Sequence, residues 1–178
     1  MRNVLLIAMA AIMVAFPLVA KAETANIVYV DLQRVMVESD TGKEAKQTLT
    51  QEAERRKKSL DGKQGELQKM KDAFERQGAT ITPEARAEKE KQYKDKLKDY
   101  QRLVNDYQTE LQQKDQEWTQ RILKGIEDVV RGMGEREKYT LILEKSQAGI
   151  LFGSPAVDIT SKVISQYNEA AKRKPAAP

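Results

Sequence analysis

The chain has 178 residues, of which 40% are hydrophobic and 33% are charged, and its formal net charge is +4. It contains no His and no Cys, which removes the commonest catalytic and metal-binding side chains and leaves no means of forming a disulfide. With so little apolar material one subunit cannot wrap a large core, so self-association is expected to supply part of the stability.

The first 22 residues are typical of a secretory signal peptide. Arg2 supplies a positive start, an apolar run covers residues 4–20, and Ala20-Lys21-Ala22 places small residues at a cleavage site. The alternative is an uncleaved membrane anchor, but the run is shorter than the roughly 20 residues that span a bilayer. We predict cleavage before Glu23 and export of the mature chain. The mature chain then has 29 basic and 27 acidic residues, a balance that argues against nucleic acid as a partner.

A small base is expected on either side of a long helical region. Ile27-Val28-Tyr29-Val30 is a short apolar, β-branched run and predicts a buried strand. The residues from Asp31 to Met36 have helical spacing and should form a short helix that ends near Ser39. Asp40-Thr41-Gly42 then supplies a turn or a fresh helix cap.

The pattern of residues from Lys43 to Gln77 predicts the first helix of a hairpin. Its apolar positions are spaced by seven, the signature of a coiled-coil seam, and they are Ala53, Leu60, Leu67 and Phe74. The companion seam positions are half charged, so the seam is thin. Gly62 and Gly65 each cost a helix interior about 1 kcal/mol relative to Ala. We therefore interpret this helix as pliable.

A turn is marked by the segment from Gly78 to Glu84. Gly78 can end the first helix in a left-handed conformation. Thr82 can cap the second helix, with Pro83 in its first turn. Because the connection is short, the two helices should be antiparallel neighbours.

The second helix carries the stronger pattern. Aromatic and aliphatic residues alternate by four and three positions, and this period near 3.5 predicts a left-handed twist of the hairpin; they are Tyr93, Leu97, Tyr100, Val104, Tyr107 and Leu111. Beyond Trp118 the helix becomes more apolar, and we place that part beside the strands. If the helices pair about a midpoint near residue 80, Gly42 faces Trp118. The hairpin arm is thus expected to cover residues 42–137.

The chain returns to the base after the second helix. The segments from Tyr139 to Glu144 and from Gly149 to Phe152 are strand candidates, joined by a tight connection, and are expected to form a β-hairpin. Asp158 or Ser154 then caps a last helix. Residues 23–41 and 138–171 are therefore predicted to form the body, and residues 172–178 a disordered tail.

The sequence contains no motif that supports catalysis. Gly132-Met133-Gly134 is an isolated G-x-G in a helical pattern, without the third glycine or the Lys-Ser/Thr pair that phosphate binding needs. The carboxylates alternate with Lys and Arg at helical spacing, which is typical of a solvated face. We therefore expect no enzyme activity, no cofactor and no metal.

Two groups of side chains on the hairpin are candidates for contact with a client chain. The tyrosines of the second helix either pack against the first helix or form a partly exposed inner surface, since Tyr combines apolar area with a polar tip. The apolar residues near the turn have little apolar material opposite them, and Met adapts to varied partners. The predicted client-binding residues are Met70, Phe74, Ile81, Tyr93, Tyr100 and Tyr107.

With these elements in order, the chain resembles the Skp/OmpH-like family of periplasmic chaperones, from about Ile27 to Gln166. The resemblance is carried by the Ile27-Val28-Tyr29-Val30-Asp31 strand and the Thr41-Gly42 step into the arm. It continues in the Tyr139-Thr140-Leu141-Ile142-Leu143 strand and the Asp158-Ile159-Thr160 helix start. The order of these motifs around a long charged hairpin is more specific than any one of them.

The resemblance implies an α+β fold: a small β-rich trimerisation body with a long antiparallel coiled-coil hairpin from each subunit. It also implies an ATP-independent holdase that binds unfolded outer-membrane β-barrel proteins between the arms. The residues of the predicted strands are then expected to form the subunit interface of a homotrimer. These oligomerisation residues are Ile27, Val28, Tyr29, Val30, Leu141, Ile142, Leu143, Ile150, Leu151 and Phe152. The alternative function is a structural spacer or adaptor of the cell envelope that docks through the arm tips.

The charge of the arm departs from the family pattern. The resemblance suggests strongly basic arms, whereas residues 43–137 contain 22 basic and 20 acidic residues. The densest basic run, Arg55-Arg56-Lys57-Lys58, is typical of a solvated face, with a contact to lipid headgroups or an acidic partner as the alternative. Binding of lipopolysaccharide or anionic membrane is therefore expected to be weak at most.

Overall fold

The computed structural model describes residues 25–77 and 80–173. In chain order they form strand β1 (Ile27–Val30), helices α1 (Leu32–Glu38), α2 (Asp40–Gln77) and α3 (Pro83–Glu137), strand β2 (Leu141–Glu144), a 3-10 turn (Pro155–Val157) and helix α4 (Thr160–Arg173). The predicted signal peptide, the role of Gly78 at the helix end and the tail from residue 174 lie outside the described residues.

The long helices α2 and α3 form the expected antiparallel hairpin. α2 has 38 residues and α3 has 55, so the α3 helix extends roughly 80 Å at 1.5 Å per residue. The Thr82 hydroxyl accepts a hydrogen bond from the Ala85 N–H at 3.3 Å, and Pro83 occupies the first turn, which confirms the predicted cap.

The register of the hairpin differs from the expectation. Gln77 pairs with Lys89, Arg56 with Glu110, and Glu52 with Lys114. These pairs are centred on residue 83, so Gly42 lies level with the region of Gly125, and the predicted pairing of Gly42 with Trp118 is wrong. α3 begins about one and a half turns before the residue that lies opposite the end of α2. The sequence-based expectation assumes that both helices end at the same level.

The entry into the hairpin depends on a close approach of α1 to α2. Ser39 ends α1, and its buried hydroxyl accepts a hydrogen bond from the Gly42 N–H at 3.2 Å. A Cβ atom at Gly42 would lie only 1.7 Å from the Met36 carbonyl oxygen. Only glycine therefore lets the last turn of α1 pack against the first turn of α2.

The two strands form a parallel pair. Ile27 is opposite Leu141 and Val30 is opposite Glu144. Parallel strands need a long crossover connection, and here the whole helical hairpin is that connection. The sheet thus joins two segments that lie more than a hundred positions apart in the sequence and closes the base of the arm.

The predicted second strand from Gly149 to Phe152 is wrong, and with it the β-hairpin. The turn is present, because the Ile150 N–H donates to the Lys145 carbonyl at 3.1 Å, but the residues that follow are irregular. The second edge of β1 is occupied instead by the chain before α4, where the Ile159 N–H donates to the Tyr29 carbonyl at 3.0 Å. The segment 150–152 therefore runs outside the sheet.

The hydrophobic core lies where α1, α3 and α4 meet the sheet. The last third of α3 supplies Ile122, Ile126 and Met133, as the rise in apolar content after Trp118 indicated, and these pack with Val28, Val30, Val35, Ala45, Ile159, Val163 and Tyr167. The G-x-G around Met133 is therefore part of a packed helix. Because most buried apolar residues are gathered in the base, few remain to pack the rest of the hairpin.

Helix α4 closes the base. The Asp158 carboxylate accepts a hydrogen bond from the Thr160 N–H at 2.9 Å. Of the two expected residues, Asp158 is therefore the one that satisfies a free backbone N–H at the start of α4. Lys172 and Arg173 form the last turn of α4, so the prediction of a disordered tail is wrong for these two residues. Among the described residues no helix combines the length and the hydropathy needed to cross a membrane.

Candidate functional site on the hairpin and its base

The tyrosine line of α3 faces α2 and remains half-buried. Tyr93, Tyr100 and Tyr107 recur every seven residues and share one level of exposure. Tyr107 contacts Arg56 of α2, and Tyr100 shares a cavity wall with Leu67, but the thin seam of α2 does not cover the tyrosines fully. Packing and partial exposure, which the sequence offered as alternatives, are therefore both present.

The middle of the hairpin is tied together by Arg56. Its guanidinium carbon lies 4.3 Å from the centre of the Tyr107 ring, and its nitrogens pair with Glu52 at 2.8 Å and with Glu110 at 2.6 Å. The hydrogen bond from Arg56 holds the pKa of Glu52 below its ordinary value. Within the basic run 55–58, Arg56 thus serves the hairpin itself.

A cavity of about 310 Å³ opens between the helices on the tip side of Arg56. Tyr100 and Leu67 contribute to its wall, with charged side chains from both helices around them. On α2, Cβ atoms added at Gly62 and Gly65 would meet nothing within 4 Å. The cavity is therefore lined by both apolar and charged groups, and these two glycines of α2 face open space.

The apolar residues near the turn lie together at the tip. Met70, Phe74 and Ile81 are all half-buried, and the Arg86 guanidinium covers the Phe74 ring at 5.4 Å. All six predicted client-binding residues therefore lie on the hairpin with part of their surface open. They are distributed along the arm and form no single pocket.

The predicted oligomerisation residues divide into three groups according to their exposure. Val28, Tyr29 and Val30 are buried inside the subunit. Ile142, Leu143 and Ile150 are half-buried, whereas the exposed members are Ile27, Leu141, Leu151 and Phe152, the last with 88% of its surface open. Val37 of α1 is exposed as well, and these five side chains make up the exposed apolar surface of the base.

The charged groups of the base are paired with one another. Asp31 accepts a hydrogen bond from the Arg34 N–H at 3.0 Å and pairs with Lys145 at 3.2 Å. The Arg34 N–H, and then Lys145, hold the pKa of Asp31 below its ordinary value, although burial acts in the opposite direction. Within residues 25–77 and 80–173 no group of acidic side chains is arranged to hold a metal ion.

A groove between α3 and α4 was not predicted from the sequence. It has a volume of about 1140 Å³ and runs from Trp118 and Arg121 to Tyr167 and the end of α4. The guanidinium of Arg121 lies 4.9 Å from the Trp118 ring. The one signal for it in the sequence was Trp118, at the point where the apolar line of α3 meets the base. The groove itself could not be predicted, because its other wall comes from α4, a distant part of the chain.

Comparison with known proteins gives one family and one fold. The family model for outer membrane proteins of the OmpH-like type matches residues 26–167. A crystal structure of a candidate outer membrane chaperone (OmpH-like) from Caulobacter crescentus CB15 is similar at 18% sequence identity and a TM-score of 0.77, covering 83% of this chain and 86% of that one. A search of curated proteins found no match.

Proposed function

The chain belongs to the OmpH-like family of outer membrane proteins, and we propose that it is an ATP-independent holdase chaperone for unfolded outer-membrane β-barrel proteins. The observation that carries the proposal is the line of half-buried tyrosines and tip residues on arms of mixed charge. A surface of this kind offers many weak contacts and no single tight pocket.

The chemistry of the proposed client fits such a surface. A strand of an outer-membrane barrel alternates lipid-facing apolar residues with lumen-facing polar ones, so its unfolded chain presents both kinds of side chain. The mid-arm cavity has Tyr100 and Leu67 beside charged groups such as Lys63 and Asp99. Several weak contacts on linked surfaces raise the overall affinity through effective concentration. A client chain held by many such contacts is retained without a catalytic step and without nucleotide binding.

The proposed assembly is a homotrimer in the periplasm, in which the bases join and the arms surround the client. The exposed apolar surface of the base supports this assembly: Ile27, Leu141, Leu151 and Phe152 are unfavourably exposed in a single subunit. Export through the signal peptide predicted for residues 1–22 supports the location. A weak contact of the arm with anionic lipid is compatible with its nearly balanced charge.

The alternative function is a spacer or adaptor of the cell envelope that docks through the arm tips. One observation favours it: α3 begins six residues before Lys89, which lies opposite the last residue of α2. The tip therefore consists of about one and a half turns of α3 alone, with the apolar residues Phe74 and Ile81 beside them. Such a narrow end is suited to insertion into a partner.

The holdase proposal is tested by the mass in solution of mature protein mixed with a freshly diluted unfolded outer-membrane barrel protein. Light scattering after size exclusion should detect a soluble complex of three subunits and one client. If the protein elutes alone while the client precipitates, the holdase proposal is wrong and the adaptor is favoured.

Substitutions separate the two functions. Replacing Met70, Phe74 and Ile81 by Ser should abolish tip docking but only reduce client retention. Replacing Tyr93, Tyr100 and Tyr107 by Ser should reduce client retention to a similar degree, because a holdase spreads its contacts along the arm. Loss of all client retention in the tip variant alone would contradict a distributed surface.

A further inference from the structure

The groove between α3 and α4 has the properties of a binding site for aromatic side chains. We propose that it receives an aromatic side chain of the unfolded client, as a second contact at the base of the arm in addition to the hairpin line. This inference rests on the proposed holdase function and names the part of the client that the base recognises.

The groove has room for a planar side chain beside the two alanines of its α4 wall, which also includes Gln166, Glu169 and Arg173. Ala170 and Ala171 lie on that wall, and Tyr167 packs so closely on α3 that a Cβ at Gly125 would lie 2.6 Å from its ring. Tyr167 therefore forms a fixed floor. A volume of about 1140 Å³ exceeds what one side chain fills, so a short extended segment can enter with it.

Charged as well as apolar side chains line the groove, and within this lining the pair of Trp118 and Arg121 favours aromatic over aliphatic side chains. Trp118 offers a half-exposed indole ring, and the exposed Arg121 guanidinium lies 4.9 Å from it. A guanidinium is planar and weakly hydrated, and it stacks on aromatic rings. Val129 is the one branched aliphatic residue on the wall. An entering ring can thus stack on Trp118 or on Arg121, whereas a Leu side chain gains only apolar contact.

Arg121 differs from Arg56, which also has its guanidinium over an aromatic ring. Arg56 is half-buried and clamped between Glu52 and Glu110, so it acts on the hairpin. Arg121 is exposed and forms the rim of the groove. Arg121 is therefore accessible to a ligand in the groove.

Trp118 makes the inference directly measurable, because it is the single Trp of the chain. Two unstructured, Trp-free peptides with alternating polar residues would be titrated against the oligomeric protein, one with Tyr and Phe at its apolar positions and one with Leu. The aromatic peptide should change Trp118 emission in a saturable manner and bind roughly five-fold more tightly than the Leu peptide. Equal affinities, or binding of the aromatic peptide without a change in emission, would overturn the inference.

A conservative substitution tests the role of the guanidinium. Arg121→Lys retains the charge but removes the planar stacking surface, so it should weaken binding of the aromatic peptide roughly three- to ten-fold and leave the Leu peptide unchanged. Arg131→Lys is the matched control, since Arg131 is exposed on the same helix and outside the groove. Equal effects of the two variants would overturn the assignment of Arg121.

Failure of this inference is distinguishable from failure of the proposed function. If Arg121→Lys and Trp118→Phe retain full-length barrel clients and the unmodified protein does not discriminate between the peptides, the groove proposal is wrong while the holdase stands. If the unmodified protein retains no client at all, the holdase proposal itself is wrong. The mass of each variant alone, measured by light scattering, confirms that assembly is unchanged.

Discussion

Arg56 of α2 lies over the Tyr107 ring of α3, with its guanidinium carbon 4.3 Å from the ring centre, and this contact joins the two helices of the arm near their middle. Glu52 and Glu110 approach the same guanidinium from both helices. One cation therefore separates two carboxylates and covers an aromatic ring.

Replacing Arg56 by Ala should lower the thermal unfolding midpoint of the arm by a few degrees. The substitution removes the ring contact and both ion pairs of Arg56, so that Glu110 loses this partner and Glu52 keeps Lys114. Arg55→Ala, at an exposed neighbouring position, should have almost no effect. Unfolding followed by circular dichroism at low and high salt provides the check. An equal loss from both variants would contradict the special position of Arg56.

The glycines of α2 are expected to differ sharply in their tolerance of a side chain. A Cβ atom added at Gly62 or Gly65 would lie in open space, so replacing both by Ala should stabilise the helix by about 1 kcal/mol each. The same change at Gly42 should destabilise the protein, since a Cβ there meets the Met36 carbonyl at 1.7 Å. Denaturant unfolding at one fixed protein concentration measures the three differences.

The double Gly variant also tests whether pliability of α2 matters for client binding. A straighter and stiffer helix should accommodate large clients less well, so the largest client retained in solution should decrease. Small clients serve as the control, because they do not require the arms to spread. Unchanged capacity for large clients would show that the flexibility hypothesis is wrong.

The exposed apolar surface of the base should control assembly without affecting the fold of the subunit. Leu151 is fully exposed in the single chain, so Leu151→Glu is expected to give a folded species with the mass of one subunit. Ile142 packs against the core, so Ile142→Glu should unfold the base. Light scattering and circular dichroism distinguish these outcomes. A Leu151→Glu variant that retains the full oligomeric mass would exclude this residue from the interface.

Acidification should weaken the base through Asp31. The pKa of Asp31 is lowered by the Arg34 N–H and by Lys145, so its charge stabilises the folded state above the ordinary carboxyl value of about 3.9. That stabilisation is lost as the pH falls through the lower folded-state pKa. Asp31→Asn keeps a residue able to cap α1 but removes the charge. It should lower the unfolding midpoint at neutral pH.

The difference between Asp31→Asn and the unmodified protein should vanish in strong acid, where Asp31 is protonated. Thermal midpoints measured from neutral pH to about pH 2 test this convergence. Asp115→Asn, at an exposed position on α3, serves as the control for loss of one surface charge. A difference that stays constant over the whole range would show that the charge of Asp31 does not contribute.

The helical hairpin was predictable because its signals are local. The apolar spacing of α3 and the Thr82-Pro83 cap act within a few residues of one another, and both are present in the structure. The candidate residues on the hairpin could be placed on helices for the same reason. The partial exposure of these residues could not be predicted, because it depends on which residues of α2 lie opposite them.

The sequence by itself determined the helices, the Thr82 cap and the two short strands β1 and β2, since hydrogen bonds and side-chain periodicity within a segment specify them. Only the tertiary structure decided the parallel pairing of Ile27 with Leu141, the irregular course of Leu151 and Phe152, and the groove between Trp118 and Tyr167. The strand pairing and the groove join segments separated by about fifty to more than a hundred residues. Their geometry follows from the length and register of the hairpin between them, which no local pattern encodes.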